Sequence, residues 1–409
     1  MRLVLRRSLE LRASLLSLPK KPALAPKHLM TMAFLADGHN ANSDICNLYT
    51  FPDRFLKPFK KHLSMLTTQE TANLKEELTN CARPLFIFHD DPDGLASFLL
   101  CYRLVREGRG LPVKAYPRVT AEPYARKAEE FGADKIFILD VAMVEQEFID
   151  AVKVPVIWID HHSVLERDRV KYFNPQKRGI NTPTPVMMWQ VVGEERPQDL
   201  WIAVVGSIGD WYFPDFATEF QQASELLPKN CINVQDALFN SPIGTLVKVF
   251  SFNLKGSMAD VVKSVKILTR IDDPYDILEQ RTPQAKLLWK KYQEVNKEYE
   301  QMLSNALKHD SDDKLFVYTY ADDKLSLTKD LSNELLYKLN KIIIVGRERA
   351  GEVRCSLRAP GKINLAKALE RALIGVEGYG GGHEQACGAA IKKENFKQFL
   401  ENLRKELKL

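Results

Sequence analysis

No run of 18 or more apolar residues occurs in this chain of 409, which excludes an ordinary membrane-spanning helix. Its six cysteines (Cys46, Cys81, Cys101, Cys231, Cys355, Cys387) stand apart and form no C-x-x-C pair. That removes a zinc ribbon or dithiol redox motif and suits a reducing compartment. No internal repeat or low-complexity segment is present, and apolar stretches near the start are broken by charge, so no secretory signal is read. Histidine is sparse, with eight in all, so any grouping of them is informative. Most of the chain also lacks a basic excess. The net charge is +5, but residues 1–64 carry +7 and the remaining 345 carry −2. A protein that tracks long nucleic acid usually carries a basic surface. The charge of the body therefore favours small anionic substrates, with a local basic groove left open.

Residues 1–30 hold seven basic side chains and one acid. This Arg-rich, acid-poor stretch has the make-up of an organelle transit peptide. An unstructured extension, or a start at Met30, Met32 or Met65, explains it equally well. The expected location is cytoplasmic, or mitochondrial if residues 1–30 are a transit peptide. Regular patterning begins near residue 66. Thr67–Asn80 reads as a capped helix. Leu85–Phe88 reads as a buried strand, followed by a helix from about Leu95 to Glu107. Strands at Val113–Tyr116, Lys135–Leu139 and Val156–Ile159 alternate with helices at Pro123–Phe131 and Val144–Val152. That rhythm predicts an α/β fold with a doubly wound, mainly parallel sheet. Residues 241–307 read as mainly helical, with Gln284–Leu307 a long connecting helix. Strands at Leu315–Tyr320, Lys341–Val345 and Val353–Leu357, and helices at Leu365–Leu373 and Asn395–Leu407, then form a smaller α/β domain. The expected divisions are an extension (1–65), a sheet domain (66–240), a helical connector (241–313) and a second domain (314–409).

Polar residues gather where the buried strands end, which is where open α/β sheets bind ligands. His89-Asp90-Asp91-Pro92-Asp93-Gly94 follows the first strand. If the strand end stays extended, Asp91 and Asp93 share a face, and two such carboxylates repel unless a cation lies between them. A polar loop with a capping Asp is the plainer reading. Asp140 ends the Lys-Ile-Phe-Ile-Leu strand, where a lone Asp is more often a cap than a ligand. Asp160-His161-His162 ends Val-Ile-Trp-Ile, and one acid with two imidazoles at a buried strand end signals metal or acid–base chemistry. Gly209-Asp210 follows another apolar run and alone reads as a turn. In the second domain, Gly380-Gly381-Gly382-His383 offers backbone that can approach a phosphate closely, or simply a glycine-rich turn. Arg354, Ser356 and Arg358 would share one strand face, able to grip an anion or merely solvated.

These motifs, in this order, resemble the DHH phosphoesterase superfamily, from about Pro84 to the C-terminus. The name-giving triplet is Asp160-His161-His162, the first motif His89-x-Asp91-x-Asp93-Gly94, and the remaining acids Asp140 and Asp210; the Gly380–His383 run resembles the hallmark of the DHH-associated C-terminal domain. The first motif is similar to the RecJ-like form. The pyrophosphatase form is not matched, because Leu95 stands where its second acid would fall from His89.

The resemblance implies a cleft between the two domains and a pair of divalent ions, most often Mn2+, with Mg2+ as a second candidate. It implies that Asp91 and Asp93 each bind one ion, that Asp140 bridges them, and that His161 and Asp210 complete the second site while His89 serves the first. His162 would act near the scissile phosphate, oriented with its neighbour by Asp160. Ser356, Arg358, Gly380, Gly381, Gly382 and His383 would hold substrate. The function expected is hydrolysis of phosphodiester bonds in short or single-stranded oligonucleotides, releasing nucleoside monophosphates. Alternatives are a phosphatase or phosphodiesterase of a small nucleotide (phosphoadenosine phosphate or a cyclic dinucleotide), a polyphosphate hydrolase, or an inactive nucleic-acid-binding scaffold. The partners expected are the oligonucleotide or nucleotide substrate and no membrane, with a homodimer left open.

Overall fold

A computed structural model describes residues 65–114, 118–321 and 325–409. The readings made for residues 1–64, and the end of the strand expected at Val113–Tyr116, lie outside the described residues. No helix among the described residues is long and apolar enough to cross a membrane.

The first part contains strands β1 (Pro84–His89), β2 (Arg109–Val113), β3 (Arg118–Val119), β4 (Lys135–Leu139), β5 (Met143–Val144), β6 (Val156–Ile159) and β7 (Val170–Phe173). Five form one sheet in the order β2-β1-β4-β6-β7, parallel throughout, while β3 pairs only with β5. The apolar runs of β1, β4 and β6 are buried on both faces, as a parallel sheet covered on both sides requires. Phe86, Phe88, Phe137, Leu139, Ile157 and Ile159 point to one core. Leu85, Ile87, Ile136, Ile138, Val156 and Trp158 point to the other. Each such side chain contributes roughly 1.5–3 kcal/mol by leaving water. A one-residue slip would exchange the two faces, so register is strongly specified.

The first core is covered by α1 (Thr68–Thr79), α2 (Pro92–Val105), α5 (Thr184–Val192) and α6 (Leu200–Gly209). The second is covered by α3 (Ala121–Phe131) and α4 (Gln146–Ala151). The expected start of α1 is observed: Thr67 and Glu70 form a reciprocal capping box, with Glu70 N–H donating to Thr67 Oγ1 at 3.1 Å and Thr67 N–H to Glu70 Oε2 at 2.7 Å. Helices α7 (Ala217–Ala223), α8 (Val234–Asn240), α9 (Pro242–Asn253), α10 (Met258–Leu268), α11 (Pro274–Leu278) and α12 (Pro283–Leu307) follow.

The second part is a mixed sheet of β8 (Leu315–Tyr320), β9 (Ile342–Arg349), β10 (Glu352–Arg358), β11 (Gly378–His383) and β12 (Ala386–Lys392), in the order β11-β12-β10-β9-β8. Only β8 and β9 run parallel. One face packs on α14 (Leu365–Ala372) and α15 (Phe396–Leu407). The other packs on α13 (Thr328–Leu339) and the C-terminal half of α12. The architecture is thus α/β, with a doubly wound parallel sheet, a helical passage and a smaller α/β sheet. Two details differ from expectation. The helix after β1 begins at Pro92 rather than near Leu95. The glycine run is an edge strand rather than a turn.

Candidate active site

The carboxyl ends of β1, β4 and β6 carry the site, and the sheet fixes each in place. Asp140 N–H donates to the Ile159 carbonyl at 3.0 Å and Asp160 N–H to the Phe173 carbonyl at 3.1 Å, so both acids leave the sheet from anchored backbone. Asp140 turns out at φ 55°, a left-handed conformation that Asp tolerates better than most residues. After β1 the chain turns at once into α2. Asp91 is its N-cap, with Oδ1 accepting from Gly94 N–H at 3.1 Å. Asp93 sits in the first turn. The two acids therefore converge at a helix start rather than along an extended strand. The capping reading and the site reading of Asp91 hold together, because Oδ1 caps while Oδ2 faces His89. Gly94 is required by close packing: a Cβ there would lie 2.4 Å from the His89 carbonyl oxygen. Asp210 arrives from the C-cap of α6. A carboxylate at that negative end is disfavoured without a nearby cation.

These residues form two groups that share a centre. His89 Nδ1 lies 3.1 Å from Asp91 Oδ2 and 3.4 Å from Asp140 Oδ2. His161 Nε2 lies 3.3 Å from Asp140 Oδ1, 3.8 Å from Asp210 Oδ2 and 3.9 Å from Asp93 Oδ2. Asp140 thus stands between the groups, one oxygen toward each. Asp93, Asp140 and His161 are buried. Burial, then the neighbouring Asp140 carboxylate, pushes the Asp93 carboxyl well above its ordinary range. Burial alone would lower the pKa of both imidazoles. The facing carboxylates outweigh it, Asp91 most for His89 and Asp140 most for His161, and hold both well above the ordinary histidine value.

The donor set fits divalent ions. The buried atoms His89 Nδ1, Asp93 Oδ2 and Asp140 Oδ2 make no hydrogen bond. Four carboxylates crowded with two imidazoles need positive charge, and this oxygen-rich mixture suits Mn2+ or a similar ion. Ligand atoms within 4.8 Å of one another define the groups His89–Asp91–Asp140, Asp93–His161–Asp210 and Asp140–His161–His162. His162 is held from behind: Asp160, fully buried, meets its Nδ1 at 2.7 Å and accepts its backbone N–H at 3.1 Å. Tyr172, Asn174 and Gln176 buttress the triplet, with Asn174 Nδ2 donating to the His162 carbonyl at 2.9 Å and Gln176 Nε2 to the His161 carbonyl at 3.2 Å.

The second sheet domain faces this cluster across a cavity of about 970 Å3. The His383 ring stands 6.0 Å from that of His162. Arg358 lines the same cavity, with Nε donating to Asn333 Oδ1 at 2.6 Å, and no carboxylate among the described residues forms an ion pair with it. Burial pushes its guanidinium pKa down to about 10. Lys329, from α13, donates to Asp91 Oδ2 at 2.9 Å.

Residues 294–409 match the DHHA1 domain. RecJ from Thermus thermophilus in complex with Mn2+ aligns over 85% of this chain with a TM-score of 0.62 at 16% identity. Residues 294–409 thus carry a DHHA1 domain, in a chain whose fold is RecJ-like. The same RecJ in complex with Mg2+ aligns over 85% of the chain (TM-score 0.55, 16% identity). The DHH domain of a member of a family of ribosomal proteins aligns over 83% of this chain and 89% of its own (TM-score 0.54, 14% identity). The chain spans 56% of the length of the Mn2+-bound RecJ chain and 54% of the Mg2+-bound one. At such identities the structural likeness carries the fold. A comparison with curated proteins gives no match.

Of the residues singled out in the sequence, His89, Asp91, Asp93, Asp140, His161, His162 and Asp210 come together, with Asp160 directly behind. Arg358, Ser356 and His383 reach the cavity. Ser356 Oγ is engaged by Ser332 Oγ at 3.0 Å, which ties α13 to β10. Gly380, Gly381 and Gly382 do not line the cavity; Gly388 of β12 does. The small size of Gly380 and Gly382 serves strand pairing instead, since a Cβ on Gly380 would lie 2.8 Å from the Gly388 carbonyl oxygen and one on Gly382 2.4 Å from that of Ala386, while Gly381 faces open space. Sequence reasoning missed Lys329, Asn333 and Trp211. Trp211 lies directly after Asp210 at φ 59°, and only its place beside that acid could have drawn attention to it.

Proposed function

We propose that this protein is a divalent-metal-dependent phosphodiesterase that cleaves short or single-stranded oligonucleotides and releases nucleoside monophosphates. The observation that carries this reading is Arg358, a half-buried side chain with no carboxylate partner among the described residues, in the wall of a cavity whose opposite wall is the paired acid–histidine cluster. A desolvated cation without a counter-charge, opposite a cation-binding cluster, suits an anion bound between them.

His89, Asp91 and Asp140 would hold one ion, and Asp93, Asp140, His161 and Asp210 the other. Two such ions, when bound, supply Lewis-acid charge and a nucleophilic water at neutral pH. The chain's own residues do the rest. Arg358 binds a phosphate oxygen, and Asn333 fixes the plane of its fork. Asp160 fixes the His162 ring through Nδ1, so Nε2 is the atom left to hold a proton for the departing oxygen. His383 faces that ring from the second domain and narrows the space around the reacting bond. Placement of this kind selects substrate and sets the line of attack.

The test is a product assay with Mn2+ on a labelled dinucleotide, a longer single strand and phosphoadenosine phosphate. Mononucleotide release from the first two is expected. Bound metal with no phosphodiester product would overturn the reading, and release of phosphate from phosphoadenosine phosphate alone would replace it with a small-nucleotide phosphatase.

A further inference from the structure

Helix α13 is anchored on two sides and presents a third side to the cleft. Asp330 and Glu334, one turn apart, face the first part of the chain. Ser251 Oγ of α9 donates to Asp330 Oδ1 at 2.7 Å, and Lys255 meets Asp330 at 3.3 Å. Glu334 accepts from Lys248 Nζ at 2.9 Å and from the Tyr299 hydroxyl at 2.5 Å. Ser332 meets Ser356 of β10 at 3.0 Å. These contacts hold the helix without help from Lys329. Lys329 and Asn333, also one turn apart, lie on the cleft side. Lys329 Nζ donates to Asp91 Oδ2 at 2.9 Å, while Asn333 Oδ1 accepts from Arg358 Nε at 2.6 Å.

Among the described residues, Lys329 is the one lysine or arginine that pairs with an acid of the metal cluster. It stands in the first turn of α13, where the positive end of a helix disfavours a cation, so the helix gains nothing from it. Its side chain is 45% exposed. It borders the cavity that holds Arg358 and also a groove of about 550 Å3 that shares His89 and Asp91 with that cavity. The four-carbon stem therefore has open space on either side in which to turn.

Asp91 has a single oxygen to offer. Oδ1 is taken by Gly94 N–H at 3.1 Å, and Oδ2 faces both the Lys329 ammonium and His89 Nδ1 at 3.1 Å. Oδ2 is thus the atom that a divalent ion in the His89–Asp91–Asp140 group would need. An ammonium and such an ion compete for that oxygen and repel each other. A displaced ammonium would share a cavity wall with the Arg358 guanidinium, and two cations so placed call for an anion between them.

We infer that Lys329 is an exchangeable counter-ion: it neutralises Asp91 while the first ion position is empty, and with that position filled it turns into the cavity and binds, beside Arg358, the phosphate to be cut. The inference rests on the phosphodiesterase reading for the identity of the anion. It adds a substrate-binding residue that the metal centre itself sets free.

The test is calorimetry on the full chain and on its Lys329→Gln and Lys329→Arg variants, with Mn2+ alone and then with inorganic phosphate added to the Mn2+-loaded protein. Lys329→Gln should bind Mn2+ about two- to fivefold more tightly, the factor that one partly exposed ion pair commands. It should bind phosphate about tenfold or more weakly, as loss of a charge-assisted hydrogen bond requires. Lys329→Arg keeps the charge and should bring both values back toward those of the wild type. A merely structural lysine would move neither affinity or weaken both, so shifts of opposite sign are the signature. Mn2+ affinity that is unchanged or lower in Lys329→Gln would overturn the exchange, as would an arginine variant that behaves like the glutamine one. Phosphate binding that is the same in all three chains, or absent from the wild type, would overturn the role toward substrate. Neither measurement needs turnover: opposite shifts in a chain that cuts no phosphodiester would sink the functional reading and leave the exchange standing.

Discussion

Asp140→Asn is the substitution that separates a metal centre from a merely structural cluster. Asparagine keeps the shape and accepts the left-handed φ of 55°, so backbone strain stays out of the comparison. In the metal-free chain Asp140 is attracted by imidazoles at 3.3 and 3.4 Å and repelled by Asp91 and Asp93 nearby. These effects are of the same order and opposite sign, so neutralising Asp140 should move the metal-free Tm by a few degrees at most. Metal changes the balance. An ion present at about 100 times its Kd stabilises the native state by about 2.7 kcal/mol, a rise of roughly 4 °C in a chain of this size. With two ions the wild type should gain roughly twice that. Asp140→Asn removes a ligand facing both groups and should lose most of the gain. Turnover with Mn2+ should fall by more than about 100-fold, since even outer partners of a metal site cost 10–100-fold. The assay is a pair of thermal melts, in chelator and in Mn2+, beside a rate measurement. An undiminished Mn2+-induced rise in Tm, or near-normal turnover, would refute the shared-carboxylate assignment.

Other outcomes follow from the same geometry. Arg358→Lys should raise KM for an oligonucleotide by about tenfold or more while calorimetry finds Mn2+ affinity unchanged, because a point charge cannot reproduce the planar fork. Asp199→Ala should cost up to about 3 kcal/mol in urea denaturation, since it removes the buried partner that meets the Arg103 guanidinium at 2.8 and 2.9 Å and leaves it only the exposed Asp272 carboxylate at 2.7 Å. The Arg404 guanidinium holds the Asp313 carboxyl down to about 2. A depressed folded pKa adds stability above the unfolded value of about 3.9 and loses it as pH falls toward 2. In acid titrations Asp313→Asn should therefore be slightly less stable than wild type above pH about 4 and indistinguishable below pH about 2, with the gap shrinking in high salt because the pair is exposed.

The strands of the first sheet were legible because Leu85–Phe88, Ile136–Leu139 and Val156–Ile159 are apolar without interruption and stop abruptly at a polar residue. That boundary is also what made Asp140 and Asp160–His162 visible. The start of α2 was misplaced because Asp91-Pro92-Asp93-Gly94 has the composition of a loop, although Asp at the N-cap and Pro at N1 also begin helices. Helix α13 went unread because Thr328-Lys329-Asp330-Leu331-Ser332-Asn333 turns its polar residues toward a cleft, and in sequence such a face looks like one turned to water. Gly380–Gly382 suggested a phosphate loop because glycine signals close approach, but the sequence does not say close approach to what. Here it is the neighbouring strand β12. The −2 charge of residues 65–409 averaged over the surface what the fold concentrates, since Lys114, Lys255 and Lys329 are far apart in the chain and meet only in the groove beside the cluster.

Helix α12 runs for 25 residues, about 37 Å at 1.5 Å each, and belongs to two cores at once. Ala285 and Leu288 pack with the parallel-sheet side, while Val295, Tyr299, Met302, Leu303 and Ala306 pack with the second sheet. It is a shared beam, not a tether. Cutting the chain anywhere along it would leave one half or the other with bare apolar surface. The two halves should therefore melt in one cooperative step, and amides along α12 should exchange with solvent as slowly as those of the central strands. The cleft can then widen only by bending or rocking about that beam, which keeps the wall bearing Arg358 in register with the cluster it faces through each cycle of opening.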